Sequence, residues 1–382
     1  MIVVWRVTEQ CNLSCPFCGY DRRVQRRRRN ADVDAMMRFG AVLADYQRAT
    51  DDRVLVSWLG GEPLLWPRLH ELTEHFTRQL GLSISATTNG TSLGSAVVRQ
   101  HVIDHYAELT VSVDGIGAVH DDLRGWHGGF AHLSRAIPSL VAERRARGRG
   151  PRVRVNVVLM RDTIGGFEAL CEELARWGID EITFNQLGGQ DRPEFLPAHR
   201  LLSRDVEWLC ANIPRIRDEL AARGVRLSGG PGYLQRLVAS ASGQHISIDD
   251  CGPGEQFLFI DELARVAPCS FAVDEYGIPL HEIDTWRALA QVPREFALRR
   301  AASRAAACND CHSTHVFEKF QTVVIPSGAP KPRSRGITTI PKEGVVILSP
   351  WNSLRVNSAK DPQGSGRALY REIEDPSPDG SG

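Results

Sequence analysis

Six short apolar runs, each followed by a stretch able to form a helix, restrict this 382-residue chain to a small set of folds. The runs lie at residues 2–7, Val54–Trp58, Ser83–Thr88, Leu109–Val113, Val153–Leu159 and Glu181–Phe184. Helices are expected between them at Val33–Ala49, Trp66–Gly81, Ser95–Tyr106, Gly129–Arg147 and Gly165–Gly178. Such alternation sets successive strands side by side in a parallel sheet covered by helices, an α/β architecture. Most strand ends carry a polar or glycine-rich turn: Cys11–Cys18, Gly60-Gly61-Glu62-Pro63, Thr88-Asn89-Gly90, Asp114-Gly115 and Asn185–Gly189. In barrel-like parallel folds the active site is assembled from these ends, so the distinctive residues collect on one rim.

After about residue 200 the alternation fades. A connecting helical segment over 201–250, with a helix at Ser203–Arg223 and a glycine-rich turn at Ser228–Gly232, leads to a cysteine-bearing segment over 251–323. Residues 324–382 are rich in Pro, Gly, Ser and Lys/Arg, a composition that cannot bury a core, and are expected to be a disordered tail; Gly344–Leu348 with Trp351 is a candidate docked strand within it. The 46 Lys+Arg balance 46 Asp+Glu, so no global field supports a nucleic-acid partner. No apolar run is long enough for a membrane span, and the start lacks the features of a signal peptide. A cytoplasmic location is expected, where nine cysteines are better read as metal ligands than as disulfides.

The turn after the first strand reads Cys11-Asn-Leu-Ser-Cys15-Pro-Phe-Cys18. Three thiolates on one tight loop can hold three corners of a 4Fe-4S cube, because such clusters are bound by cysteine thiolates and usually take four of them. The fourth iron is then open to bind and reduce a small molecule. A zinc knuckle would instead pair two CxxC-type hairpins and needs a fourth ligand nearby, and none lies nearby in sequence. This CxxxCxxC, with the aromatic Phe17 before its last cysteine, resembles the radical S-adenosyl-L-methionine (SAM) superfamily. The resemblance implies that the open iron chelates the amino and carboxylate groups of SAM, with Phe17 packing near the adenine. It also implies a partial (β/α)6 TIM-like barrel over residues 1–200.

Gly60-Gly61-Glu62-Pro63 ends the second strand, where glycines let a ligand approach bare backbone and a carboxylate can receive an ammonium. It resembles the superfamily's GGEP motif, which implies that Gly60, Gly61 and Glu62 hold the methionine amino group. Ser112 and Asn156 fall where related enzymes hydrogen-bond the ribose or methionyl carboxylate; the plainer reading is polar residues satisfied at strand ends. Asn89 reads as a turn residue, since Asn-Gly favours positive φ.

Cys251 and Cys269 flank a segment whose apolar residues alternate about a turn, as in a hairpin carrying ligands at both ends, and Cys308-Asn-Asp-Cys311 follows. A structural zinc site is one reading of four such cysteines. The arrangement is similar to the "twitch" extension of some radical barrels, a shortened SPASM domain, which implies an auxiliary 4Fe-4S cluster with four cysteine ligands. His312 and His315 read as hairpin residues, and Cys171 and Cys210 as inert helical thiols. The run Arg22, Arg23, Arg26, Arg27, Arg28 and Arg29 reads as a solvated face, or as steering for an acidic substrate. Asn185, Gln186, Asp191 and Arg192 are placed to line a polar pocket.

The resemblance implies an enzyme in which a reduced cluster and SAM yield a 5′-deoxyadenosyl radical that abstracts hydrogen from a C–H bond. Its four-cysteine pattern resembles radical aminocyclitol dehydrogenases. The leading expectation is therefore oxidation of a small polar natural-product intermediate, such as an aminocyclitol, sugar or nucleoside, with a reducing partner such as flavodoxin or ferredoxin. The alternative is a maturase that crosslinks or epimerises a ribosomally made precursor peptide. Only ten residues precede Cys11, which is expected to leave no room for a leader-binding domain there. A non-enzymatic alternative is a zinc-stabilised binding protein. No catalytic residue is singled out.

Overall fold

The computed structural model describes residues 1–317. The expected tail over 324–382, its candidate strand at Gly344–Leu348 with Trp351, and the end of the cysteine-bearing segment lie outside the described residues.

Six strands form the expected parallel sheet in chain order: β1 (Ile2–Thr8), β2 (Leu55–Gly60), β3 (Ser83–Thr88), β4 (Glu108–Ser112), β5 (Arg152–Leu159) and β6 (Glu181–Gln186). The helices between them are α1 (Val33–Thr50), α2 (Leu69–Arg78), α3 (Ala96–His105), α4 (Ala118–Arg124), α5 (Gly129–Arg147) and α6 (Phe167–Arg176). Beyond β6 come α7 (Leu196–His199), α8 (Ser203–Ala221), the short strand β7 (Arg226–Leu227) and α9 (Pro231–Ala241). The cysteine-bearing segment contributes β8 (Phe257–Ile260), β9 (Arg265–Ala267), α10 (Val273–Tyr276), β10 (Ile278–Pro279) and α11 (Trp286–Ala302).

Side-chain alternation fixes which face of each strand is core. On β1, Val3, Trp5 and Val7 are fully buried while Ile2, Val4 and Arg6 are half-buried. Trp5 packs against Phe39 of α1, Trp58 of β2 and Phe76 of α2, with ring centroids 5.9, 6.2 and 6.4 Å apart. These rings seal the sheet to its first two helices. On β5 the buried set is Val153, Val155, Val157 and Leu159, and Arg154, Asn156 and Val158 occupy the other face. The face away from the helices thus carries Arg6, Ser112, Asn156 and Asn185, all half-buried. A polar inner face suits an open partial barrel that receives a polar ligand, whereas a closed barrel fills its interior with branched apolar side chains.

The fading alternation after residue 200 conceals further sheet. β7 extends the sheet beyond β6, pairing Glu181 with Arg226. β8 lies parallel to β1, with Ile2 opposite Phe257 and Val4 opposite Phe259, and then turns into the antiparallel β9. The expected hairpin is therefore present as β8–β9, and it continues the barrel's sheet across β1. The order is β10-β9-β8-β1-β2-β3-β4-β5-β6-β7.

Candidate functional site

The loop after β1 is held from below and beside. Gly61 N–H donates to Thr8 O (2.8 Å) and Glu62 N–H to Gln10 O (2.7 Å), so the end of β2 runs against the backbone leading into Cys11. A β-carbon on Gly60 would lie 2.2 Å from Thr8 O, and one on Gly61 2.2 Å from Gln10 O. The two glycines are required by this backbone-to-backbone approach, a reason different from the ligand approach expected from the sequence.

Cys11 and Cys18 lie near enough to Cys15 to disfavour its ionisation, and Cys11 disfavours that of Cys18. Burial raises all three, with Cys15 pushed up to about 12 despite the opposing Arg124 guanidinium. Donors surround the sulfurs: Leu13 N–H reaches Cys11 Sγ (3.5 Å), Tyr20 N–H reaches Cys18 Sγ (3.4 Å), and Asn89 Nδ2 stands 3.9 Å from Cys11 Sγ. One buried and two half-buried thiols with N–H groups beside them are a donor set suited to metal-bound thiolates. Phe17 packs against Phe195 at 6.2 Å, which brings the loop after β6 over the cysteine loop. On the same loop, Arg192 pairs with Asp21 (3.2 Å), and Asp191 lies against Gly19.

Glu62 is 1% exposed. Its carboxylate accepts from Thr88 Oγ1 (2.7 Å), Asn89 N–H (2.6 Å) and Leu64 N–H (3.1 Å). Burial pushes its pKa up to about 7 against these donors. Asn89 does more than turn the chain. It joins Glu62 to Asn12, Nδ2 to Oδ1 at 2.9 Å, and the positive φ falls on Gly90 (+80°).

Ser112 ends β4 directly opposite Asn156. Asn156 Oδ1 accepts from Thr183 Oγ1 (2.9 Å) and Asn185 Nδ2 (3.1 Å), and Tyr233 OH lies 3.3 Å from Asn185 Oδ1. Asn156, Thr183, Asn185 and Tyr233 thus form one network, with Ser112 beside it on the next strand. Gln186 turns to Ser240 of α9 (2.8 Å).

The arginine run is solvated as expected, with only Arg28 half-buried, but four of its side chains also reach back to the cysteine loop. Arg22 Nε donates to Ser14 Oγ (2.8 Å), Arg23 Nη2 to Ser14 O (2.8 Å), and Arg26 pairs with Glu9 (2.6 Å). Arg28 donates to the carbonyls of Glu9 (2.8 Å), Tyr20 (2.9 Å) and Asp21 (2.6 Å). These side chains clasp the cysteine loop.

Sequence reasoning also missed the underside of that loop. Arg124, the last residue of α4, and Asp114, just after β4, form a buried ion pair at 2.6 Å. His120 is fully buried; its Nδ1 accepts from Asp114 N–H (3.2 Å), and burial lowers its pKa to about 4. The only sequence signal was a turn, Asp114-Gly115, followed by a short polar helix.

A second group lies on the hairpin side. Cys251, Cys269, Cys308 and Cys311 line one cavity with Tyr276, Arg300, His312 and His315. Cys269 accepts from the N–H groups of Phe271 and Ala272 and is pushed up to about 11 by burial, while Cys311 accepts from Ser313 N–H. Arg236, 2% exposed, supports the CxxC turn by donating from Nη2 to Asp310 Oδ1 and His312 Nε2, both at 2.8 Å. His312 and His315 follow that turn and lie off the β8–β9 hairpin, with the His315 ring stacked on Phe257 at 4.7 Å. Among the described residues no three His, Cys, Asp or Glu side chains are grouped so that they could hold a metal ion. A four-iron cluster spreads its ligands over separate corners, so four cysteines around one cavity fit it better than a single zinc. Cys171 is buried on α6 and Cys210 half-buried on α8, apart from this cavity's lining.

The first strand of this parallel sheet ends in three cysteines, one buried and two half-buried, beside an enclosed glutamate at the end of the second, and this stretch of the chain is similar to the radical SAM superfamily. Residues 5–125 match that superfamily's model. Radical SAM domains work with a 4Fe-4S cluster and SAM.

Among characterised proteins, mycofactocin maturase MftC of Mycobacterium tuberculosis is 24% identical over 276 residues, 72% of this chain and 65% of that protein. The chain therefore spans 65% of that relative's length. Pre-heme d1 synthase of Dinoroseobacter shibae is 27% identical over 248 residues, 62% of this chain and 54% of that protein. SuiB of Streptococcus suis bound to S-adenosylmethionine superposes with a TM-score of 0.57 at 16% identity, covering 83% of this chain and 71% of SuiB. Native anSMEcpe with bound AdoMet gives 0.57 at 17% identity, covering 81% and 88%. At these identities the structural likeness establishes the shared fold. No helix among the described residues is long and apolar enough to cross a membrane.

Proposed function

We propose that the chain is a two-cluster radical SAM enzyme that oxidises its substrate. Cys11, Cys15 and Cys18 would hold the first 4Fe-4S cluster, leaving one iron for SAM, and Cys251, Cys269, Cys308 and Cys311 would hold a second, fully protein-ligated one. The observation that carries this reading is the convergence of the latter four cysteines on one cavity, two of them flanking a hairpin that pairs with the strand leading to the first three. Together the bound groups would supply a 5′-deoxyadenosyl radical for hydrogen abstraction and a site for the electron released when the substrate becomes a ketone or alkene.

The chain's own residues would do the rest. Glu62, ionised, would receive the amino group of SAM, and Phe17 would border the adenine. Ser112 and Asn156 would orient the ribose or carboxylate from adjacent strands. The polar face carrying Arg6 and Asn185 would receive a small polar substrate, and a reducing partner such as flavodoxin or ferredoxin would deliver the first electron. Replacing Cys308 and Cys311 by Ala tests the electron's destination. Substrate oxidation should be lost while SAM cleavage persists; undiminished oxidation by a folded variant would sink the reading.

A second reading, maturation of a precursor peptide, is favoured by similarity to the MftC maturase and to SuiB, whose structure is also known bound to precursor peptide SuiA. Turnover of a precursor peptide, with small polar candidates untouched, would select it.

A further inference from the structure

Under the cysteine loop lies a full positive charge that nothing above has used. Arg124 is 8% exposed and reaches the loop three ways. Its carbonyl accepts from Ser14 N–H (3.3 Å) and lies 3.8 Å from Cys15 Sγ, its Nη1 stands 4.0 Å from that same sulfur, and its guanidinium carbon is 5.6 Å from the Phe17 ring centroid. Gly125, at φ +57°, permits this closeness, since a β-carbon there would lie 2.9 Å from Ser14 Cβ. Asp114 anchors the guanidinium through Nη2 at 2.6 Å while its Oδ1 accepts from Val158 N–H (2.8 Å). The Nε of Arg124 is buried without a partner.

Burying an ion pair is costly, and apolar residues of similar volume commonly staple a loop as well or better. A structural role therefore gives little reason for a guanidinium here. Its Nη1 points at a sulfur, and hydrogen bonds and charge at cluster sulfurs set reduction potential.

We propose that Arg124, held in place by Asp114, is a positioning residue that sets the reduction potential of the cluster on Cys11, Cys15 and Cys18. This rests on the reading that those cysteines hold the cluster. Reduction adds a negative charge, so a cation beside Cys15 favours the reduced form and raises the potential. Asp114 opposes it from farther away. The pair therefore sets the potential by its two opposed charges, and its members have effects of opposite sign.

The test is a redox titration of the reconstituted full-length protein, following the electron paramagnetic resonance signal that responds to added SAM. Arg124→Gln should shift the midpoint to more negative potential, Asp114→Asn to less negative potential, and Arg124→Lys should stay near the unaltered protein. A loaded Arg124→Gln protein at the unaltered potential, or shifts of the same sign in Arg124→Gln and Asp114→Asn, would overturn the proposal. Should Arg124→Gln fail to take up iron, Asp114→Asn decides: an unchanged or more negative midpoint counts against it. Failure of the underlying reading looks different, because Cys15→Ala would then keep the SAM-responsive signal.

Discussion

Glu62 shows how much chemistry one enclosed carboxylate can hold. Three donors favour its charge, yet burial wins and lifts its pKa to about 7. A folded-state pKa raised above the ordinary 4.5 means that the folded chain holds the proton more tightly than the unfolded chain. Without ligand, this residue's contribution to stability is greatest below about pH 4.5 and is lost as pH rises through about 7. SAM binding has the opposite preference, because an ionised carboxylate is the better acceptor for the N–H groups of an iron-bound amine. The dissociation constant for SAM, measured by calorimetry on the cluster-loaded protein, should climb more steeply as pH falls through about 7 than it does above that pH. Glu62→Gln should weaken binding by about ten- to a hundredfold, as expected for a charged hydrogen bond, and abolish that pH dependence. A pH profile unchanged in Glu62→Gln would remove Glu62 from the binding site.

At the scale of elements, the two loops that meet above β1 and β2 form one unit. Gly61→Ala forces a β-carbon onto the Gln10 carbonyl, so it should cost about 2 kcal/mol or more. It should also displace the loop carrying Cys11. Thermal unfolding together with iron retention checks this: both should fall, and a variant with unaltered melting and iron content would mean that the loops are not coupled. Both loops were legible in the sequence, because glycines and cysteines at fixed spacing are local signals. The six strands were legible too, since branched apolar runs such as Val153–Leu159 leave few alternatives. What the sequence hid is non-local. Nothing near Phe257 announces that β8 will lie beside β1, more than two hundred residues away. The partners of the run Arg22–Arg29 were hidden too: its side chains are mostly exposed, yet Arg22, Arg23, Arg26 and Arg28 reach back to the cysteine loop, and Arg124 was not singled out at all. Asn89 looked like a turn because its Asn-Gly context is one, while its side chain serves Asn12 and its backbone serves Glu62.

Across the whole molecule, β1 is the shared support. Cys11, Cys15 and Cys18 follow its C-terminal end, and the hairpin between Cys251 and Cys269 extends from its side, so both groups of cysteines are anchored to the same strand. The sheet thereby makes a barrel and its appendage a single mechanical body among the described residues, which suits a reaction that would begin at one cluster and end at the other. In the Cys308→Ala/Cys311→Ala protein, 5′-deoxyadenosine should still form when dithionite and SAM are supplied, while oxidised product falls at least about tenfold. Equal loss of both would show that the second site is needed for folding or radical formation instead.

The central claim, two separate iron–sulfur sites in one chain, is tested most directly by iron and sulfide content after anaerobic reconstitution. The unaltered protein should hold about eight iron and about eight sulfide per chain, and either Cys308→Ala/Cys311→Ala or Cys11→Ala/Cys15→Ala/Cys18→Ala should leave about four of each. Zinc in place of iron, or about four iron in the unaltered protein that vanish with one set of substitutions and are untouched by the other, would contradict it.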